Sequence, residues 1–134
     1  MLVARAGSDI TIVSHSYATV RALHVAAKLQ EEHGVDAEVV DLRSLRPLDM
    51  ETVAQSVMKT NRAVCVEEGW PTYGVTAEIA ARISKACFDD LDAPVERVGM
   101  AEVPLPYAKN LELAAMPNED RIGAAVLSTL GIAP

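Results

Sequence analysis

Three apolar runs about 25 residues apart, and a fourth some 30 further on, constrain this chain more than anything else in it. "DITIVS" (Asp9 to Ser14), "VDAEVVDL" (35–42), "RAVCVEE" (62–68) and "VERVGM" (95–100) are rich in valine and isoleucine, and their apolar residues do not keep to one face. A strand that is apolar on both faces is buried on both, which is the habit of parallel sheets sandwiched between helices. Parallel neighbours need crossover connections, and these are almost always right-handed. The pattern therefore predicts an α/β domain whose βαβ units build a mostly parallel sheet covered on both sides.

The segments between the runs read as helices with their own start and stop signals. "YATVRALHVAAKLQEEHG" places Val20, Leu23, Ala26 and Ala27 against polar Arg21, Lys28, Glu31 and Glu32, and Gly34 closes it at the position after the last helical residue. Pro47 bars a helix at Arg46. Asp49 then caps "METVAQSVMKTN", with Thr52 at the third helical position and Val53, Val57 and Met58 on one face. "GVTAEIAARISKACF" sets Ile79, Ile83 and Cys87 at i, i+4 and i+8, and "NEDRIGAAVLSTLG" has an Asn118 cap, an acidic first turn and a Gly131 stop. "AEVPLPYAKNLELAAMP", with three prolines, reads as a loop. No internal repeat or low-complexity segment interrupts the series.

The 134 residues suit one domain that buries roughly two-thirds of its unfolded surface. A net charge of −7, with no basic patch, argues against nucleic acid and anionic membrane surfaces. No apolar run approaches the roughly 20 residues of a membrane span, and "MLVARAGSD" lacks the apolar core of a secretory signal. Cys65 and Cys87 have no C-x-x-C or histidine spacing and read as buried reduced thiols, which suits a reducing compartment. His15, His24 and His33 have no metal-ligand spacing, so no metal is expected. The reading is a soluble, intracellular domain.

Doubly wound sheets bind ligands at the carboxyl ends of their strands. At the first end, "SHSYAT", His15 has the chemistry of a general base or anion contact, while Ser16 reads equally as a helix cap. At the second, "DLRSLRP", Arg43 and Arg46 suit a carboxylate or phosphate clamp, a structural ion pair or a subunit contact. At the third, "VEEGWPTYG", Glu67 and Glu68 are adjacent on a strand end and point to opposite sides, which is unfit for paired-carboxylate catalysis. Trp70, Pro71 and Tyr73 give that turn rigid aromatic area, the composition of an interface anchor. No phosphate loop and no nucleophile elbow accompanies any of these ends.

"DLRSLRPLDMETVAQSVMKTNRAVCVEEGWPTYGVTAEIAARI" and "LDAPVERVGMAEVPLPYAKNLE" resemble the C-terminal, transketolase C-terminal-like domain of pyruvate dehydrogenase E1 β subunits, from about Ser8 to the end of the chain. The resemblance implies a three-layer α/β/α sandwich around a five-stranded sheet, mostly parallel with one antiparallel edge strand. It assigns 8–134 to the domain and 1–7 to a linker or to residues added outside it. Four strands are legible in the sequence, and the fifth is expected in the N-terminal segment or the proline-containing region.

The same resemblance implies no catalytic, cofactor-binding or metal residue in this chain. Thiamin diphosphate and Mg²⁺ belong to the parent enzyme, on the missing N-terminal half and the α subunit. The parent reaction is oxidative decarboxylation of pyruvate with acetyl transfer to lipoyl-E2, in a bacterial cytoplasm or a mitochondrial matrix, and the isolated domain is expected to be inactive. Implied partners are a second E1 β subunit, the E1 α subunit and the basic peripheral-subunit-binding domain of E2. Glu67, Trp70, Pro71 and Tyr73 are expected at a subunit interface and Asp92, in "DDLDAP", at the E2 contact. Two alternatives stay open: the same domain from a branched-chain 2-oxo acid dehydrogenase or another transketolase-like enzyme, or a free-standing small-molecule-binding domain using His15, Arg43 and Glu67.

Overall fold

The computed structural model describes residues 1–133. In chain order the elements are β1 (Leu2–Arg5), β2 (Ile10–Ser14), α1 (Tyr17–His33), β3 (Ala37–Asp41), α2 (Met50–Thr60), β4 (Ala63–Val66), α3 (Val75–Ala86), β5 (Glu96–Val98), α4 (Lys109–Ala115) and α5 (Glu119–Leu130). One five-stranded sheet runs in the order β1-β3-β2-β4-β5. β2 is central, pairing parallel with β3 from Ile10↔Ala37 to Ser14↔Asp41 and with β4 from Thr11↔Ala63 to Val13↔Cys65. β5 continues the parallel set on β4, and β1 pairs antiparallel with β3.

The side-chain alternation of the strands divides the core into two layers. Ile10, Ile12, Val39, Val64 and Val66 meet α1 and α5 through Ala22, Val25, Leu29, Ile122 and Val126. Val13, Val40, Ala63 and Cys65 meet α2 and α3 through Val53, Val57, Ile79 and Ile83. The predicted sandwich is thus present, with α1 and α5 on one face and α2 and α3 on the other. Burial pushes the Cys65 thiol up to about 12.

A polar seam crosses the α2 side of this core. Thr11 Oγ1 lies 2.8 Å from Ser56 Oγ and 2.7 Å from Thr60 Oγ1, and Ser56 donates to the buried Glu38 carboxylate at 2.8 Å. Lys59 Nζ reaches the other oxygen of Glu38 at 2.7 Å from the solvent side. Every buried oxygen of the seam has a partner, as burial requires.

The helix ends follow the sequence. Asp49 Oδ1 accepts from the Thr52 N–H at 3.1 Å, and the hydrogen bonds from Thr52 hold its carboxyl below the usual range. Asn118 Oδ1 accepts from the Arg121 N–H at 2.9 Å, and Gly34 and Gly131 close their helices in the left-handed region at φ 68° and 70°.

Two expectations are corrected. Residues 1–7 are not simply a linker, because Leu2–Arg5 forms the antiparallel edge strand. Arg5 fastens it, donating to Asp36 at 3.2 Å, to the Ala37 carbonyl and to Gln30. The fifth strand therefore lies in the N-terminal segment. The proline-containing region is not all loop either, since Lys109–Ala115 makes two helical turns.

Candidate functional site

The turn at the carboxyl end of β4 is held by tertiary hydrogen bonds from several sides. The Glu67 N–H donates to the Val98 carbonyl at 3.0 Å, extending sheet pairing one residue beyond the strand. Alternation then sends the Glu67 side chain the same way as Cys65, under the start of α3, where it is 2% exposed. Its Oε2 accepts the Thr76 N–H at 2.7 Å, filling one of the orphan donors of the α3 first turn. Glu67 Oε1 and Thr76 Oγ1 are buried without protein partners. Gly74 has to be glycine here, because a Cβ would overlap both Glu67 Oε1 and the Trp70 carbonyl oxygen. Glu67, expected at a subunit boundary, is instead enclosed inside its own chain. Its place is beneath the turn that carries the aromatic residues.

That turn is laced to the segment after β5. Met100 N–H donates to the Gly69 carbonyl at 2.9 Å, Arg97 Nη1 to the Pro71 carbonyl at 2.6 Å, and Trp70 Nε1 to the Val103 carbonyl at 3.2 Å. Glu102 Oε1 accepts the Thr72 N–H at 3.0 Å, and hydrogen bonds from Thr72 hold the Glu102 carboxyl below its usual range. The two backbones approach so closely that a Cβ on Gly99 would stand 2.7 Å from the Gly69 oxygen and 2.7 Å from Pro71 Cγ. Tyr73 sits at φ 58°, a left-handed conformation that costs a non-glycine residue of order 1 kcal/mol or more. The strain projects its ring fully into solvent beside the half-exposed Trp70.

The segment that follows extends this surface. Val103, Leu105, Tyr107, Leu111 and Leu113 are all exposed, and α4 buries only Ala115. The segment is fixed at its ends, by Ala101 N–H to the Ala115 carbonyl at 2.7 Å and by Arg21 Nη1 to the Pro117 carbonyl at 2.9 Å. With Trp70 and Tyr73 it forms an apolar skirt held in place by hydrogen bonds. Sequence reading missed α4 and the lacing, although "AKNLELAA" after Pro106 is a run of good helix formers.

The other strand ends do not assemble a reactive set. Arg43, at φ 61°, spends its Nε on Asp41 Oδ2 at 2.9 Å. Ser14 Oγ lies 3.0 Å from Thr19 Oγ1, Ser16 gives α1 no side-chain cap bond, and His15 Nδ1 is buried without a partner. His15, Arg43 and Glu67 follow the ends of neighbouring strands, but no hydrogen bond joins any two of them. Among the described residues no group of three or more His, Cys, Asp or Glu side chains is placed to hold a metal ion, and no helix is long and apolar enough to cross a membrane. Asp92, as expected, is exposed on its turn, with Arg62 Nη2 at 3.9 Å from Oδ2.

Comparison with known proteins agrees with this architecture. Residues 1–122 match the family model described as the C-terminal domain of transketolase. The chain is 51% identical over 129 residues to the human mitochondrial pyruvate dehydrogenase E1 component subunit beta, covering 96% of this chain and 36% of that protein. It is 53% identical over 122 residues to the mitochondrial subunit beta-1 from Arabidopsis thaliana, covering 90% and 33%. The chain therefore spans about a third of the length of the curated relatives it matches. A solved split-gene transketolase, described as an inactive beta4 tetramer, superposes with a TM-score of 0.78 at 28% identity over 99% of this chain and 42% of that one. With the five-stranded mixed sheet and its antiparallel edge, these matches show that the chain belongs to the transketolase C-terminal domain family.

Proposed function

We propose that this chain is the C-terminal domain of the β subunit of a pyruvate dehydrogenase E1 component, and that its work is assembly. The observation that carries the reading is the apolar skirt formed by Trp70, Tyr73 and the 103–113 segment. Exposed large side chains on a monomer are ordinarily scattered, and a contiguous rigid group of them marks a surface that another chain covers. Pro71 stiffens the aromatic turn, Glu67 supports it from beneath, and a second β subunit and the α subunit are the occupants proposed. Asp92 is proposed as a contact to the basic peripheral-subunit-binding domain of E2, since a chain of net charge −7 complements a cationic partner. The names of the relatives favour pyruvate over branched-chain 2-oxo acids for the parent.

In this proposal thiamin diphosphate and Mg²⁺ belong to the parent enzyme, in a bacterial cytoplasm or a mitochondrial matrix. The residues of this chain do not fit those groups, because Arg43 is already paired with Asp41 and the Glu67 carboxyl is enclosed under α3. No chemical step is assigned to them. The test is sedimentation of the chain alone and mixed with the E1 α subunit, with fluorescence of its single tryptophan followed in parallel. Self-association or α binding that shifts Trp70 emission, and that is lost in Tyr107→Asp/Leu111→Asp, is the expected result. A chain that stays monomeric in both experiments, with unchanged emission, would overturn the assembly reading.

A further inference from the structure

Helices α2 and α3 end side by side, and their junction builds a second surface far from the aromatic turn. α2 closes on Asn61 in the left-handed region at φ 64°. The Asn61 carbonyl accepts the Asp92 N–H at 2.9 Å, and its side-chain amide donates to the Asp90 carbonyl at 2.9 Å. The Asp90 and Leu91 N–H groups donate to the Cys87 carbonyl at 2.9 and 3.0 Å, and Cys87 is fully buried. The turn is therefore fixed from both sides.

This fixed turn holds Phe88, the only phenylalanine of the chain, 78% exposed. The ring stands at a cavity of about 440 Å³ lined also by Ser84, Leu91, Asp92, Ala93 and Pro94. A turn whose only task is to reverse the chain gains nothing from a large ring in water, whereas an aromatic wall beside a mostly apolar hollow is how interfaces seat an anchor residue. The rim is acidic. Asp89 and Asp92 are exposed, and at 3.9 Å the Arg62 guanidinium stands too far from Asp92 Oδ2 for a hydrogen bond, leaving that carboxylate open to another cation.

We propose that this hollow is an anchor pocket for a basic partner. It takes one aliphatic side chain against Phe88, Leu91 and Pro94, while flanking lysine or arginine groups of the partner reach Asp92 and Asp89. The proposal rests on the docking role given to Asp92 above, and it adds the apolar contact that supplies residence time where surface charge supplies mainly encounter rate.

The experiment is calorimetric titration of this chain with the basic peripheral-subunit-binding domain of E2 at two salt concentrations, for wild type, Phe88→Ala, Phe88→Leu and Asp92→Asn. The expected result is a rise in Kd of about thirtyfold for Phe88→Ala, the lower end of an interface hot spot, with the wild-type salt dependence. Phe88→Leu should bind within about threefold of wild type, since most of the apolar wall is kept. Asp92→Asn should weaken binding and flatten its salt dependence. If Phe88→Ala binds as wild type while Asp92→Asn is weakened, the anchor pocket is overturned and the docking role stands. If the wild-type chain binds nothing at low salt, the docking role is overturned and the pocket with it.

Discussion

Replacing Glu67 tests the central claim about the β4 turn, that its carboxyl group is an internal support and not a surface contact. Glu67→Ala removes the acceptor of the Thr76 N–H, a hydrogen bond of the kind that contributes about 1.5–3 kcal/mol when one group is charged. It also removes one buried methylene, at about 0.8 kcal/mol, and leaves a space that the rigid turn fills poorly. Against these losses, the unpartnered Oε1 disappears, and an unsatisfied buried oxygen costs about 1–3 kcal/mol. The net is a destabilisation of about 1–2 kcal/mol, or a fall in Tm of about 5 °C for a domain of this size.

Glu67→Gln separates the explanations. Glu67 Oε1 and the Trp70 carbonyl oxygen converge on the space over Gly74 with no donor between them. An amide placed with its NH₂ toward Trp70 would supply that donor while its oxygen still accepts from Thr76. The glutamine variant should therefore stay within about 1 kcal/mol of wild type. Thermal unfolding followed by circular dichroism measures both variants. An alanine variant as stable as wild type, or a glutamine variant as unstable as alanine, would refute the reasoning.

Two further outcomes follow from the same packing. Gly99→Ala forces a methyl group against the Gly69 oxygen and Pro71 Cγ, so it should cost about 1–3 kcal/mol in denaturant unfolding and shift Trp70 emission, because the lacing of the turn loosens. The Cys65 thiol, raised by burial from an ordinary value of 9.0 to about 12, stays protonated in the folded chain. Its contribution to stability is complete below pH 9 and is lost as pH climbs toward 12. Native Cys65 should thus resist thiol reagents at pH 8 until the chain unfolds, and Cys65→Ala should lose part of the alkaline fall in Tm.

The parts that the sequence made legible are those fixed by local chemistry. Ile10–Ser14, Ala37–Asp41 and Ala63–Val66 are apolar on both faces because both faces are covered, and Asp49, Asn118, Gly34 and Gly131 announce helix ends through bonds within four residues. β1 was hidden because Leu2–Arg5 is short, half-exposed and held by partners 25 and 31 residues away, Gln30 and Asp36. α4 was hidden by the prolines that flank it, Pro104, Pro106 and Pro117, and by leucines that face solvent and so keep no core-facing period. For Glu67 the alternation predicted that one of two glutamates turns inward. Which helix it would meet depended on α3 lying on the Cys65 side of the sheet, a fact of topology that no local window contains.

The seam of Thr11, Ser56, Thr60 and Glu38 works as an index mark for α2. Valine-lined helix and sheet surfaces alone would let a helix settle at neighbouring rotations about its axis with similar packing. A rotation of α2 that turned its Ser56 and Thr60 hydroxyls away from the sheet would take one donor from the buried Glu38 carboxylate and both hydroxyl partners from Thr11, at a cost of several kcal/mol. The seam therefore fixes which face of α2 meets the sheet. Because α2 and α3 end against each other at Asn61, that same mark sets where the Phe88 turn emerges, so a few hydroxyls deep in the core determine the position of a surface at the far end of two helices.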